Sequence, residues 1–330
     1  MLRWSLPGSE PHAGGVLRMN PSHPKSLWLA TLVALAILPT SNAQSPRPRI
    51  EGVSHISVYT TNPTAAEHFY THDLGAEKLS DPENPKGVRY YFNPTQFVEV
   101  LPFPVGSTSK SRLDHVAFNT SDVEALRSYL AAHKIAVPAS VQKGADGSQW
   151  FEIKDPENNL VQFVQPPARL PAIAPNKLSH RIIHIGYVVH NAQLEDTFYH
   201  DILGFRPYWH GGNNEAAPSW ISSQVPDGSD WVEYMIATGP ETTGIPAAMS
   251  ADAAGVNNHF ALGIHNAEEA ENLLYTGERL NTKHSDPKIG RDAKWQINLY
   301  DPDGTRAELM EFQPVGKPCC SPFLADHPKE

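Results

Sequence analysis

Four segments of the chain begin in the same way: HISVYT at residue 55, HVAFNT at 115, HIGYVV at 184 and HFALGI at 259. Such self-similarity restricts the fold strongly, because each copy must be one supersecondary unit and the copies must bury one another. Each copy opens as a strand led by histidine. In the first and third copies, Phe69-Tyr70 and Phe198-Tyr199 both lie 14 residues after the histidine, and Leu74-Gly75 and Leu203-Gly204 follow. The residues between carry helical apolar spacing, with glycine where a helix would end. The second and fourth copies share another ending, in which DPENNLVQFV from residue 155 matches DPDGTRAELM from 301. Asp-Pro with Asn or Gly makes a tight turn, and alternating apolar residues then make a final strand. Each module therefore reads as strand, helix, then two or three strands. No such module can bury both faces of its sheet alone, so modules pair around a shared concave face with helices outside. The expected class is α+β, with two curved-sheet domains at residues 50–166 and 180–315. The aperiodic, Pro-rich stretch PPARLPAIAPNKLS (166–179) supplies the linker at 167–179, and 316–330 form a tail.

Residues 27–39, LWLATLVALAILP, form an apolar run behind Lys25 and ahead of Ser41 and Ala43, the pattern of a secretory signal peptide cleaved after Ala43. The 18 residues ahead of Met19 are an awkward n-region, which points to Met19 as the start. Residues 1–43 are thus a removable signal, the run is too short for an anchor, and the mature protein is expected to be exported with no membrane span. Losing Arg3, Arg18, Lys25 and Glu10 removes a net +2 and takes the formal charge from −10 to −12, which disfavours nucleic acid as a partner. A homo-oligomer is left open. The two cysteines, Cys319 and Cys320, are adjacent in the tail. They cannot staple the fold, and they read as idle thiols, an intermolecular bridge or a vicinal disulfide.

Strand alternation places each histidine on one face with a small residue two positions on: Ser57, Ala117, Gly186 and Ala261. That leaves room for a packed neighbour or a ligand. A lone strand histidine is more often a hydrogen-bonded core residue. Carboxylates at repeat positions change the balance. Glu99 stands between Phe97 and Leu101, Glu233 between Trp231 and Met235, and Glu308 beside Met310 and Phe312. A carboxylate among large apolar side chains is costly unless it is paired or bound to a cation. Histidines and carboxylates converging from strands suit a divalent zinc, iron, nickel, cobalt or manganese ion. Glu311 alternates to the opposite face and is expected to be no ligand.

The histidine-led strands, the FYxxxLG helix and the DPDGxxxEL strand resemble the vicinal oxygen chelate superfamily, which includes glyoxalase I, extradiol dioxygenases and bleomycin-resistance proteins. The resemblance spans about residues 50–315 and implies βαβββ modules whose first and last strands supply metal ligands. It implies His184, Glu233, His259 and Glu308 as one complete quartet, with Glu233 or Glu308 as catalytic base. A second set is His55, Glu99, His115 and Gln162, with an amide where the fourth carboxylate would be. Swapped module pairing would instead give His55, Glu99, His259, Glu308 and His115, Gln162, His184, Glu233. The implied partner is a small carbonyl, hydroxy-acid or phenolic substrate. A lyase or isomerase is preferred, but with a substrate other than that of glyoxalase I, because export separates the chain from that enzyme's cytosolic thiol cofactor. The alternatives are an iron(II) extradiol dioxygenase and a non-catalytic binder. Against the dioxygenase, Asn298 stands where its tyrosine is expected, with Asp292 near the place of its histidine and Tyr300 displaced by two residues. The segment RPYWHGGNNEAAPSW (206–220) is read as a substrate lid or an ordinary loop, with Trp209, His210, Trp220 and Tyr300 as candidate substrate contacts.

Overall fold

The computed structural model describes residues 46–109, 111–212, 218–237, 257–281 and 283–330, so the expected signal segment lies outside the described residues. Two eight-stranded sheets form their framework. In the first, β1 (Ile50–Thr60), β2 (Glu77–Ser80), β3 (Val88–Asn93) and β4 (Gln96–Pro102) come from one module. The next module adds β5 (Leu113–Thr120), β6 (Gln142–Lys143), β7 (Gln149–Lys154) and β8 (Leu160–Gln165). The second sheet repeats the plan with β9 (Ile182–Val189), β10 (Arg206–Gly211), β11 (Trp220–Gln224), β12 (Trp231–Ile236), β13 (His259–Ile264), β14 (Lys288–Ile289), β15 (Trp295–Tyr300) and β16 (Arg306–Glu311). The spatial orders are β2-β3-β4-β1-β5-β8-β7-β6 and β10-β11-β12-β9-β13-β16-β15-β14. The two histidine-led strands of a sheet therefore lie side by side, antiparallel, at its centre. Consecutive modules pair, and the swapped quartets are not brought together.

Each module carries its helix after its first strand. These are α1 (Pro63–His68), α2 (Val123–Ala132), α3 (Ala192–Asp196) and α4 (Ala267–Thr276). Asn62, Asp122, Asn191 and Asn266 cap them, each accepting a hydrogen bond from a first-turn backbone N–H. The FYxxxLG segments end as π-helical turns, Phe69–Asp73 and Thr197–Ile202, and Gly75 and Gly204 take φ of 72° and 75°, a left-handed conformation that glycine adopts without penalty. Segment 206–220 is not a loop at its ends: residues 206–211 form the edge strand β10, Trp220 opens β11, and 213–217 lie outside the described residues.

The two sheets share one hydrophobic core on the faces turned away from the histidines, containing Ile56, Val98 and Phe118 of one and Ile185, Tyr234 and Phe260 of the other. The Asp-Pro turns lock this arrangement. Asp155 and Asp301 each accept two backbone N–H bonds inside their own turn. Each also accepts a tyrosine hydroxyl from the other pair of modules: Tyr70 of the first π-helical turn on Asp301 at 3.1 Å and Tyr187 of β9 on Asp155 at 3.3 Å. The acid two residues on reaches across as well, Asp303 to the Thr61 backbone N–H at 2.9 Å and Glu157 to that of Asn191 at 2.5 Å. Among the described residues no helix is long and apolar enough to cross a membrane.

Candidate metal centre

The side-by-side central strands explain the small residue that follows each histidine. Across the first sheet His55 lies opposite Ala117 and Ser57 opposite His115; across the second His184 lies opposite Ala261 and Gly186 opposite His259. Each small side chain leaves room for the partner module's imidazole. A Cβ at Gly186 would lie 2.1 Å from Cε1 of His259, so glycine is required there.

In the second sheet His184 Nε2 and His259 Nε2 come within 3.0 Å of each other, with Glu308 Oε2 at 3.5 Å from the first and 3.7 Å from the second. Glu233 Oε1 is 3.6 Å from His259 Nε2, and the Ser222 hydroxyl donates to its other oxygen at 3.3 Å. Four strands, β9, β12, β13 and β16, thus each bring one donor to the cluster, and the ligand atoms of His184, Glu233 and His259 lie within 4.8 Å of one another. His259 Nδ1 meets the carbonyl of Asn257 at 2.9 Å. A carbonyl only accepts, so Nδ1 carries the hydrogen and Nε2 presents a lone pair to the cluster. Burial lowers the pKa of both imidazoles and keeps them neutral, as metal ligands must be. The two carboxyls are driven apart. Burial and the charge of Glu308 push Glu233 up to about 8, whereas at Glu308 the rise from burial is outweighed by Arg306 and the imidazoles, which hold it down at about 2. Neutral nitrogens and acidic oxygens crowded together on buried or part-buried strand positions fit a divalent cation.

The first sheet builds a related cluster. His55 Nε2 and His115 Nε2 are 2.9 Å apart, and Glu99 Oε2 lies 4.0 Å from His115 Nε2 and accepts from Ser57. Its Gln162 donates to Glu83 at 3.1 Å, while the amide oxygen has no partner among the described residues. A cation is already built in here: Arg89 pairs with Asp81 at 3.1 Å and Glu83 at 2.5 Å and lies over Phe97, which stacks on His55. Sequence reading missed Arg89, Asp81 and Glu83, since neither acid sits on a repeated position.

The cup around the second cluster is a cavity of about 270 Å³, lined by Glu233 and Glu308 and walled by Trp209, Trp220 and Met310. His210 is exposed and Tyr300 sits at the strand end under Lys283; neither lines that cavity. Asn298 pairs with Glu308 across the β15–β16 ladder, and Asp292 lines the cup. Glu311, on the other face, accepts the Ala267 N–H at 2.9 Å and so caps α4. The tail belongs to this domain. Cys319 accepts from the Trp209 indole at 3.1 Å and donates to the Arg291 carbonyl at 2.8 Å, joining β10 to the β14–β15 turn, the two ends of the curved sheet. Cys319 and Cys320 are joined as a vicinal disulfide. Phe323 packs on Tyr208, and with Trp231 these rings surround the ammonium of the buried Lys294. Trp231 in turn packs against His184 with ring centres 4.7 Å apart.

Residues 52–163 and 181–309 each match the family model described as Glyoxalase/Bleomycin resistance protein/Dioxygenase superfamily. The chain belongs to that superfamily. Comparison with curated proteins gives no match. Among solved structures, a catechol 2,3-dioxygenase is similar with a TM-score of 0.58 and 12% identity, covering 86% of this chain and 96% of that one. The Mn(II)-bound glyoxalase from Novosphingobium aromaticivorans gives 0.58 and 14%, with 80% and 83% covered. Homoprotocatechuate 2,3-dioxygenase from Brevibacterium fuscum, in complex with 3,4-dihydroxyphenylacetate, gives 0.57 and 15%, with 84% and 85% covered. At these identities the likeness establishes the fold and leaves the reaction to the site.

Proposed function

We propose that the chain is an exported, metal-dependent enzyme of the lyase or isomerase type, acting on a small oxygenated molecule in the C-terminal cup. The observation that carries this reading is a fourth donor, Glu233, gathered with His184 and His259 beside the Glu308 carboxylate. These four residues would hold a divalent ion, which as a Lewis acid polarises neighbouring substrate oxygens. The protein's own contribution is an unequal pair of carboxyls. With no cation bound, burial and the charge of Glu308 raise the pKa of Glu233, steadied by Ser222, while Glu308 stays ionised under Arg306 and the imidazoles, so Glu233 is the carboxyl better suited to leave the ion and take a proton. That asymmetry suits moving a proton to and from carbon beside an oxygen. Trp209 and Trp220 give the cup an apolar wall beside its charged lining. At the ladder position opposite Glu308 stands Asn298, whose amide cannot shuttle a proton.

The test is elemental mass spectrometry on mature protein purified without chelator or tag, beside a His259→Ala, Glu308→Ala double variant. The expected result is about one zinc, nickel, cobalt or manganese ion per chain from the four-donor C-terminal set, lost in the variant. Iron in the same place would turn the reading towards oxygen-dependent ring cleavage. A wild type that stays metal-free after reconstitution would sink catalysis and leave a small-molecule binder. Export is the part of the proposal that rests on residues 1–43. Protein recovered outside the cytoplasm should begin at Gln44 on N-terminal sequencing; an intact leader there would refute it.

A further inference from the structure

The duplication supplies an internal control for which residues of the cup the fold needs. The turns Gly144–Ser148 and Gly290–Lys294 close with the same backbone bonds, Gly144 N to Ser148 O at 2.9 Å and Gly290 N to Lys294 O at 2.8 Å. The Asp-Pro turns likewise match, Asp155 N to Asn159 O and Asp301 N to Thr305 O. Position by position, Arg291 therefore stands where the first domain has Ala145, and Arg306 where it has Leu160. The same backbone closes with apolar side chains at both places, so neither guanidinium is needed to close these turns; Arg291 spends its Nε on the Gly212 carbonyl at 3.1 Å, which leaves its two terminal nitrogens for the cup.

Both arginines line the C-terminal cup, joined by Lys288. Arg306 precedes Glu308 by two residues on β16 and so shares its face. Its closest carboxylate oxygen, Glu308 Oε2, lies at 4.0 Å, too far for a hydrogen bond, and its Nε is buried without a partner among the described residues. Glu308 is also the carboxylate that the quartet commits to a cation, which leaves Arg306 less compensated still. The third acid of the cup, Asp292, faces its own cation, the buried Lys294. Three cations thus meet a cup whose carboxylates are otherwise engaged, between the apolar walls of Trp209, Trp220 and Met310.

We infer that the ligand of this cup is a small organic acid, with its carboxylate on Arg306 and Arg291 and its apolar body between the two tryptophans. The inference deepens the enzymatic reading by naming the substrate class, and it rests on that reading for the neighbouring cation. A guanidinium grips a carboxylate through paired, charge-assisted hydrogen bonds that a neutral amide of the same shape cannot match.

The experiment is calorimetric titration of the mature protein, zinc-reconstituted and metal-stripped, with 2-hydroxybenzoate and its neutral isostere 2-hydroxybenzamide. Wild type, Arg306→Leu and Arg291→Ala are compared, the variants carrying the residues that the first domain uses at the same positions. The expected result is an acid preference of about tenfold or more in the wild type, reduced severalfold in each variant, with amide affinity changed by less than about twofold. A wild type with no preference overturns the inference, as do variants that keep the preference or lose both probes equally. Arg306→Gln provides the same comparison should the leucine variant not fold. Metal content of the same samples separates the two readings: an acid preference in a protein that takes up no metal leaves the inference standing and removes the metalloenzyme.

Discussion

Gly186→Val is expected to remove metal binding from the C-terminal cup and to lower stability by about 1–3 kcal/mol, the usual cost of forcing extra volume into a packed interior. The added carbon would meet the His259 ring at 2.1 Å. That ring is fully buried and tied through Nδ1 to Asn257, so it has no cheap way to move aside. Displacing it pulls one nitrogen from the set formed by His184, Glu233 and Glu308 while leaving every ligand residue chemically intact. Thermal unfolding and metal titration of the variant check this together. Full metal uptake at an unchanged midpoint would show that the glycine does not serve the histidine.

The second large effect is expected far from any donor cluster. Asp230, in the loop before β12, accepts the Val53 backbone N–H at 3.1 Å, the Gln96 amide at 3.1 Å and the Arg181 guanidinium at 2.8 Å. Val53 and Gln96 belong to the first sheet, and Gln96 also exchanges two hydrogen bonds with the backbone of Ile182 in the second. One buried carboxylate therefore ties the sheets together, and burial lifts its pKa to about 6 despite Arg181. Asp230→Ala strands a cation, an amide and a backbone donor at once and should cost about 3–5 kcal/mol. Asp230→Asn, which keeps the shape and one acceptor, should cost clearly less. Denaturant unfolding of both variants decides the matter. Equal losses for Ala and Asn would mean that only the charge matters, and a loss under about 1 kcal/mol for Ala would mean that the tie is incidental.

The histidine-led repeats identified the modules because a repeated strand must repeat its surroundings, and the Asp-Pro turns and Leu-Gly helix ends are local chemistry that any observer of the chain can read. The same holds for Glu308: an acid that shares a strand face with Met310 and Phe312 has few inexpensive explanations. Reading stopped where function depends on residues with no repeated partner. Arg89, Asp81 and Glu83 fill the N-terminal cup from β3 and the preceding turn. A comparison of the two copies could have flagged Arg291, Lys294 and Arg306, since Ala145, Ser148 and Leu160 occupy those positions.

The small residue two places after each histidine shows where the boundary lies. Sequence determined that a space exists there, because a missing side chain is a local fact. It could not say whether that space holds a ligand or a neighbour, or which module provides the neighbour. Pairing of β1 with β5 and of β9 with β13 decided it, placing His115 opposite Ser57 and His259 opposite Gly186. Strand register between distant segments is set by burying whole faces together, an energy summed over the two sheets and written in no single stretch of the chain.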